Sequence, residues 1–325
     1  MGGGARRHGM GEQRGVAVVG AGAVGCYFGG MLARAGTPVT LIARRARAEA
    51  IQREGLFIDA VHWQGRVEVT ATCELAAAKD AEVVLFCVKT VDTESAAGEL
   101  RPYVGRDGMV ISLQNGVDNV ERIRAASGME AIPAVVYVAA EMTAAARVKH
   151  SGRGDLILGE ARDAGRRNDL QGVVRMFENA GVPCRVSRQI EVEQWTKMVL
   201  NCAYNAISAL ARANYGAIAH NPLVHQVMLQ AISEAVAVAR AAGIAMNDVD
   251  MHAAGAKLGE AMAKATSSTA QDIARGKPTE IDSLNGYVAR RGKQLGVPTP
   301  VNQTLHALVK LLEEARAGER AGSSL

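Results

Sequence analysis

The stretch Val16–Gly25, VAVVGAGAVG, constrains the fold more than any other part of the chain. Four apolar residues run straight into Gly20, Gly22 and Gly25, which are spaced G-x-G-x-x-G. A helical pattern continues through Tyr27, Phe28, Met31 and Leu32. Gly36 ends it, and Pro38–Ile42 reads as a second strand. Strand, glycine turn, helix and strand in one unit form the context in which this spacing binds a dinucleotide. Gly20 permits the tight turn, Gly22 lets the backbone approach a pyrophosphate, and Gly25 lets helix and strand pack. The N–H groups at the helix start, on Ala23, Val24 and Gly25, then receive the phosphates with the help of the helix dipole. The competing reading is a glycine-rich turn in an α/β fold that holds no nucleotide.

The end of the second strand bears on which dinucleotide. Chains that bind NAD usually carry Asp or Glu there, about 20 residues on, to hold the ribose 2′-hydroxyl. This chain reads Ala43-Arg44-Arg45-Ala46-Arg47. A guanidinium in place of a carboxylate suits a 2′-phosphate, and hence NADP. Arg44, directly after the strand, is the candidate. Arg45 and Arg47 read as a solvated basic loop.

Further strands are expected at Val67–Thr72, Glu82–Val88 and Met109–Leu113, with a helix from Thr93 to about Tyr103. Ligands of open parallel sheets sit outside the carboxyl ends of the strands. Lys89 and Asn115 occupy two such ends, so both should face the cofactor. Their alternatives are a loop lysine and an Asn-Gly turn. Ala131–Val138, Leu156–Gly159 and Cys184–Ser187 read as later strands, and Asp169–Ala180 as an amphipathic helix.

From Ile190 onward no strand is apparent. Helical patterns cover Glu191–Ala213, Pro222–Ala242, Asp248–Thr266, Glu280–Leu295 and Val301–Ala315. The expected organisation is a disordered tail over 1–15, an α/β Rossmann-type dinucleotide-binding domain over 16–188, and an all-α domain over 189–318. Within the first of these helices, Trp195–Leu210 is apolar nearly all round, the mark of a buried helix. Lys197, Asn201 and Asn205 interrupt it at i, i+4 and i+8. They drift by only about 40° per step and so form one narrow polar stripe. Buried amides and ammonium groups need partners. Those are either other side chains or the oxygens of a ligand reached across a cleft, where sites often lie.

The segment GKPTEIDSLNG, residues 276–286, holds the other charged candidate. Thr279 and Asp282 have the spacing of a capping box, so Asp282 is expected to cap its helix. Glu280 is not needed for that cap. It is either a first-turn carboxylate favoured by the helix dipole or a partner for Lys197.

Composition narrows the remaining classes. The 325 residues are 48% hydrophobic, enough for two domain cores, and the net charge is only +4. No basic stripe is interleaved with aromatics, which argues against nucleic acid. The five cysteines are scattered, with no CxxC pair, and the seven histidines do not cluster at ligand spacing. Reduced thiols in a cytoplasmic protein with no metal site are expected. Residues 1–15 have no apolar run of signal-peptide or membrane-spanning length, so no membrane partner is expected.

Taken in order, GAGAVG, VTLIARR, FCVKT, LQNG, the W-x-K-x-x-x-N-x-x-x-N helix, SSxxQD and GxxTEIDxxNG resemble the ketopantoate reductase (2-dehydropantoate 2-reductase) family. The resemblance runs from about Gly15 to Lys310. It implies a Rossmann domain followed by a helical domain. It also implies NADPH-dependent reduction of a small 2-oxo acid to a 2-hydroxy acid, on the route to pantothenate and coenzyme A, by a monomer or homodimer. By that resemblance Lys197 matches the general acid and Glu280 the carboxylate that works with it. Asn115, Asn201, Asn205 and Ser268 match substrate-binding positions, Asn115 also lying near the nicotinamide. Lys89 matches a cofactor-side lysine and Arg44 the 2′-phosphate ligand. Two residues depart from the pattern. Ala206 stands where many members have Pro, and Asp92 where some have Gln. The alternatives are a family dehydrogenase for another 2-oxo acid, of mandelate type, and an NADPH-binding sensor without turnover.

Overall fold

The computed structural model describes residues 15–161 and 164–322. The expected disordered tail falls almost entirely on residues outside the described ones. The described chain divides into two compact units. The first contains residues up to Gln114 and Asn119–Arg188; the second contains Asn115–Asp118 and the chain from Gln189 onward.

In the first unit the order is β1 (Val16–Val19), α1 (Ala23–Arg34), β2 (Val39–Ile42), α2 (Arg45–Glu54), β3 (Leu56–Ala60), β4 (Trp63–Val67), β5 (Thr70–Thr72), β6 (Val83–Phe86), α3 (Thr93–Leu100), β7 (Met109–Ser112), α4 (Asn119–Ser127), β8 (Ala131–Ala144), β9 (Arg147–Gly159), α5 (Ala164–Asn179) and β10 (Cys184–Ser187). The strands lie in the order β4-β3-β9-β8-β7-β6-β1-β2-β5, with β10 beside β9. The run from β8 through β7, β6, β1 and β2 to β5 is parallel throughout. The expected strand Val67–Thr72 is instead two. Val67 ends β4, antiparallel to β3, while Thr70–Thr72 pair with β2. These strands are the two ends of the path, yet only Glu68 and Val69 separate them in sequence. A linker that short spans on the order of 10 Å, so the sheet must curl round on itself.

Helix α1 lies inside the curl. Its Phe28 and Leu32 are fully buried with Val18, Leu41, Ile58 and Leu158. Side chains on Gly29 and Gly30 would collide with Leu41 and Val18, and with Ile58 and Leu56. The alternate residues of β1 and β6, Ala17, Val19, Val84 and Phe86, form a second core with Ala97, Leu100 and Ile123 of α3 and α4. Side chains alternate across a strand, so the near-continuous apolar runs of these strands reflect burial on both faces. The β8–β9 ladder is longer than Ala131–Val138 and Leu156–Gly159 suggest, because its outer half carries polar residues such as Glu141, Lys149 and His150.

The second unit is helical: α6 (Ile190–Ala211), α7 (Tyr215–His220), α8 (Pro222–Ala241), α9 (Asp248–Ala261), α10 (Ser268–Arg275), α11 (Asn285–Leu295) and α12 (Pro300–Gly322). Trp195, Met198, Val199, Cys202 and Ala203 of α6 pack with Met228, Ile232, Ala235 and Val236 of α8. Among the described residues α8 is the one helix long and apolar enough to cross a membrane. Here it is a core helix. A buried polar network ties it to its neighbours. Glu234 of α8 accepts from the backbone N–H groups of Val301 and Asn302, both at 2.9 Å, at the start of α12. A carboxylate there meets the positive end of the helix dipole. Asn285 donates to the Cys202 carbonyl of α6 at 3.1 Å and to Asn302 Oδ1 at 2.9 Å, which explains an asparagine at the head of α11.

Candidate active site

The glycine turn joins β1 to α1, and its three glycines differ in kind. Gly20 has φ +87°, and a Cβ on it would stand 2.7 Å from the Val88 nitrogen. Gly25 would drive a Cβ to 2.8 Å from the Gly20 oxygen and from Val18. Both are required by the protein itself. Gly22 is not. Its φ of −80° suits any residue, and a Cβ there would meet nothing nearer than the Gly20 oxygen at 3.9 Å. The open space over Gly22 lies at the first turn of α1, which no side chain caps. Ala23, Val24 and Gly25 open this helix, and the first N–H groups of any helix lack partners inside it. A pyrophosphate fits both facts.

Arg44 precedes α2, and its side chain is 96% exposed, with Nη2 4.0 Å from Asp92 Oδ2. Arg47 is not the solvated residue expected. Its Nη1 donates to the Ala21 carbonyl at 2.8 Å, inside the glycine turn. Because α2 begins at Arg45, Arg47 sits on its first turn, and the guanidinium folds back as a brace. Its Nε is buried with no partner. Beneath the turn, Cys26 donates to the same carbonyl at 3.3 Å. Burial pushes its thiol up to about 12 despite Arg47 nearby, so it stays an unreactive thiol. All five cysteines are free.

Lys89 follows β6, half-buried, where a short 3-10 turn, Thr90–Asp92, leads into α3. Beyond β7, buried Gln114 is gripped from three sides. Its Oε1 accepts from Ser112 at 2.9 Å, and its Nε2 donates to Thr93 Oγ1 at 2.7 Å and to the Val88 carbonyl at 3.1 Å. The residue after this anchor is Asn115.

Asn115 belongs to the second unit, where it connects the two charged candidates. Lys197 Nζ donates to Asn115 Oδ1 at 2.7 Å, and Asn115 Nδ2 donates to Glu280 Oε2 at 3.0 Å. The chemistry dictates the amide's orientation: flipped, it would set NH2 against ammonium and carbonyl against carboxylate. Charge-assisted bonds of this kind are the strong ones. All three residues are half-buried. Residues 115, 197 and 280 share no periodic pattern, so the amide's place between the two charges is apparent only in the fold.

The rest of the stripe sinks progressively into the unit. Asn201 is half-buried, while Asn205 is only 2% exposed and its Oδ1 accepts from the Tyr215 hydroxyl at 3.4 Å. Ser268 is the exposed first residue of α10. Its buried neighbour Ser267 is the structural serine. It caps α10 by accepting from Ala270 N at 3.0 Å and donates to the Asn205 carbonyl at 3.1 Å, fastening α10 to α6.

Asp282 does not cap a helix. After Glu280 the chain makes a 3-10 turn, Ile281–Ser283, and α11 begins only at Asn285. The Asp282 carboxylate is turned to α12 instead, 2.6 Å from His306 Nε2 and 3.0 Å from Lys310 Nζ. Lys310 also meets Glu313 at 3.0 Å, and Glu313 accepts from the Thr279 N–H at 2.7 Å. The residues on both sides of Glu280 are thus pinned to α12. Among the described residues no group of three His, Cys, Asp or Glu could hold a metal ion.

Family models of ketopantoate reductase PanE/ApbA match residues 16–163, and those of its C-terminal domain match residues 189–313. The chain belongs to the ketopantoate reductase family. It is 32% identical over 303 residues to a 2-dehydropantoate 2-reductase of Pyrococcus horikoshii, covering 93% of this chain and 99% of that one. A crystal structure of a PanE/ApbA family ketopantoate reductase from Ralstonia eutropha JMP134 is 44% identical, with a TM-score of 0.88 over 93% of this chain and 99% of that one. The ternary structure of a D-mandelate dehydrogenase with NADH and anilino(oxo)acetate is 22% identical, with a TM-score of 0.87 over 93% and 99%. At that identity the likeness is one of fold. Family membership makes the chain an oxidoreductase acting on a small keto acid with a nicotinamide dinucleotide.

Proposed function

We propose that this protein reduces ketopantoate to pantoate with NADPH, using Lys197 as the acid. The observation that carries the reading is the Lys197–Asn115–Glu280 chain of hydrogen bonds. A protein that only sensed NADPH would need neither an oriented ammonium nor its carboxylate. When bound, the reduced nicotinamide supplies a hydride to the carbonyl carbon. The residues of the chain do the rest. Lys197 meets the ketone oxygen, stabilises the negative charge that develops there and gives it a proton. Glu280 holds the Asn115 amide so that its oxygen stays on the ammonium, and solvent returns the proton to Lys197 after turnover. Asn201, Asn205 and Ser268 are assigned to the remaining polar groups of the substrate.

The glycine turn and the N–H groups of Ala23, Val24 and Gly25 are assigned to the pyrophosphate, with Lys89 beside the cofactor. Arg44 is assigned to the 2′-phosphate, since its guanidinium is exposed at the end of β2 where an NAD enzyme would carry a carboxylate. The test is NADPH oxidation by the purified protein across a panel of 2-oxo acids, with Lys197→Ala beside it. Ketopantoate should be the best of the panel and the variant should be nearly inactive. Cofactor binding without consumption of any 2-oxo acid would overturn the proposal.

A further inference from the structure

We propose that Asp92 is a cofactor-specificity residue that opposes Arg44 and restrains the preference for NADPH. This rests on the assignment of the glycine turn to a nicotinamide dinucleotide. Strands β2 and β6 flank β1 in parallel, so the segments that leave their carboxyl ends run on either side of the glycine turn. Arg44 leaves β2, and Asp92 closes the turn that follows β6. The two side chains approach to 4.0 Å, with Arg44 96% and Asp92 53% exposed.

The position of Asp92 makes this approach informative. It is the residue before α3, where an aspartate ordinarily caps the helix. Its side chain makes no such bond. The carboxylate is turned to Arg44 instead. An exposed pair at this separation holds its partners weakly, so Arg44 can still receive an anion. A 2′-phosphate arriving at Arg44 then meets a carboxylate that both competes for the guanidinium and repels the phosphate. A 2′-hydroxyl meets the same carboxylate as an acceptor, the arrangement that NAD-binding chains use. One residue of the pair therefore favours each cofactor.

The experiment measures dissociation constants of NADPH, NADH and 2′,5′-ADP by calorimetry for the wild type, Asp92→Asn and Arg44→Ala, at low and at high salt. Asparagine keeps the size and capping ability of aspartate, and the thermal midpoint of each variant checks the fold. Asp92→Asn should tighten NADPH and 2′,5′-ADP by about three- to tenfold at low salt. The gain should shrink at high salt, where exposed charges are screened. NADH should bind no tighter. An unchanged or lowered ratio of NADPH to NADH affinity in Asp92→Asn would overturn the inference. Arg44→Ala reports separately on the proposed 2′-phosphate site. If it lowers the ratio while Asp92→Asn leaves the ratio alone, only the role of Asp92 fails. If it does not lower the ratio, the Arg44 assignment fails, whatever Asp92 does.

Discussion

Gly22 separates folding from binding more cleanly than any other residue of the glycine turn. A methyl group there has room and an ordinary backbone conformation. Gly22→Ala should therefore keep its stability within about 0.5 kcal/mol, as at an unconstrained surface position. It should weaken NADPH by roughly ten- to a hundredfold, the loss of about one charged hydrogen bond. Gly20→Ala should do the reverse in emphasis. It forces a side chain onto a φ of +87° and against the Val88 backbone, which costs about 1–3 kcal/mol. Thermal melts and cofactor titrations on the two variants check both expectations, and equal stability losses would refute the distinction. At Lys197, substitution by Ala should lower kcat by about 10²–10⁴-fold, the usual range for an acid–base group. A variant that binds both ligands and turns over normally would remove Lys197 from its role. Single residues with a backbone reason, such as Gly20 and Gly25, were legible from the motif. Arg47 was not, because its partner is a backbone carbonyl, and carbonyls leave no mark in a sequence.

Among the elements, long helices and buried strands were legible because their apolar periodicity is strong. The stripe on α6 stood out because three polar residues recur at helical spacing on an otherwise apolar segment. Helices α7 and α10 escaped, being only 6 and 8 residues long. The Thr279–Asp282 spacing misled, since a 3-10 turn intervenes before α11 and the aspartate serves an ion-pair cluster. That cluster makes a pH prediction. Burial alone would raise the Asp282 carboxyl, but hydrogen bonds from His306 and Lys310 hold it below its ordinary value. Burial would likewise raise Glu313, but Thr279 and Lys310 hold it down. Hydrogen bonding to Glu313 and then Asp282 raises Lys310 against the opposing effect of burial. Depressed carboxyls contribute stability that is present above their unfolded values, about 4, and is lost as pH falls through the lower folded values. The raised lysine contributes fully below about 10.4 and loses its share as pH rises through the folded value. Asp282→Asn should thus lower the melting temperature at pH 7 by a few degrees at most, since the groups are partly exposed. The difference from wild type should shrink as pH falls below about 4, where the carboxyl begins to take up its proton. A difference that does not shrink at all as the pH falls would show that the loss comes from packing and not from charge.

For the molecule as a whole, the change from alternating strands and helices to helices alone was visible near Arg188, but one assignment crossed it. Asn115 follows β7 in the chain and yet belongs with the helical unit, beside Lys197 and Glu280. A sequence orders residues along the chain, and only packing reveals that a short segment joins a different body. That placement bears on the substrate. Asn201 and Asn205 lie one and two turns beyond Lys197, about 6 and 12 Å along the helix axis. With Lys197 on the ketone oxygen, the near end of the stripe can reach a hydroxyl on the branched end of ketopantoate. The Tyr215 hydroxyl donates to Oδ1 of Asn205, which is 2% exposed. A site built to hydrogen-bond a substrate hydroxyl rejects the analogue that lacks it, by about 10⁴–10⁵ at best. So 2-oxoisovalerate, which lacks the hydroxymethyl group, should have a kcat/KM far below that of ketopantoate. Asn201→Ala and Asn205→Ala should narrow the gap by losing ketopantoate activity while sparing the analogue. If phenylglyoxylate or 2-oxoisovalerate instead gives the higher kcat/KM, the stripe does not read a hydroxyl. The assignments of Asn201 and Asn205 would then fall, and a mandelate-type reduction would take the place of ketopantoate reduction.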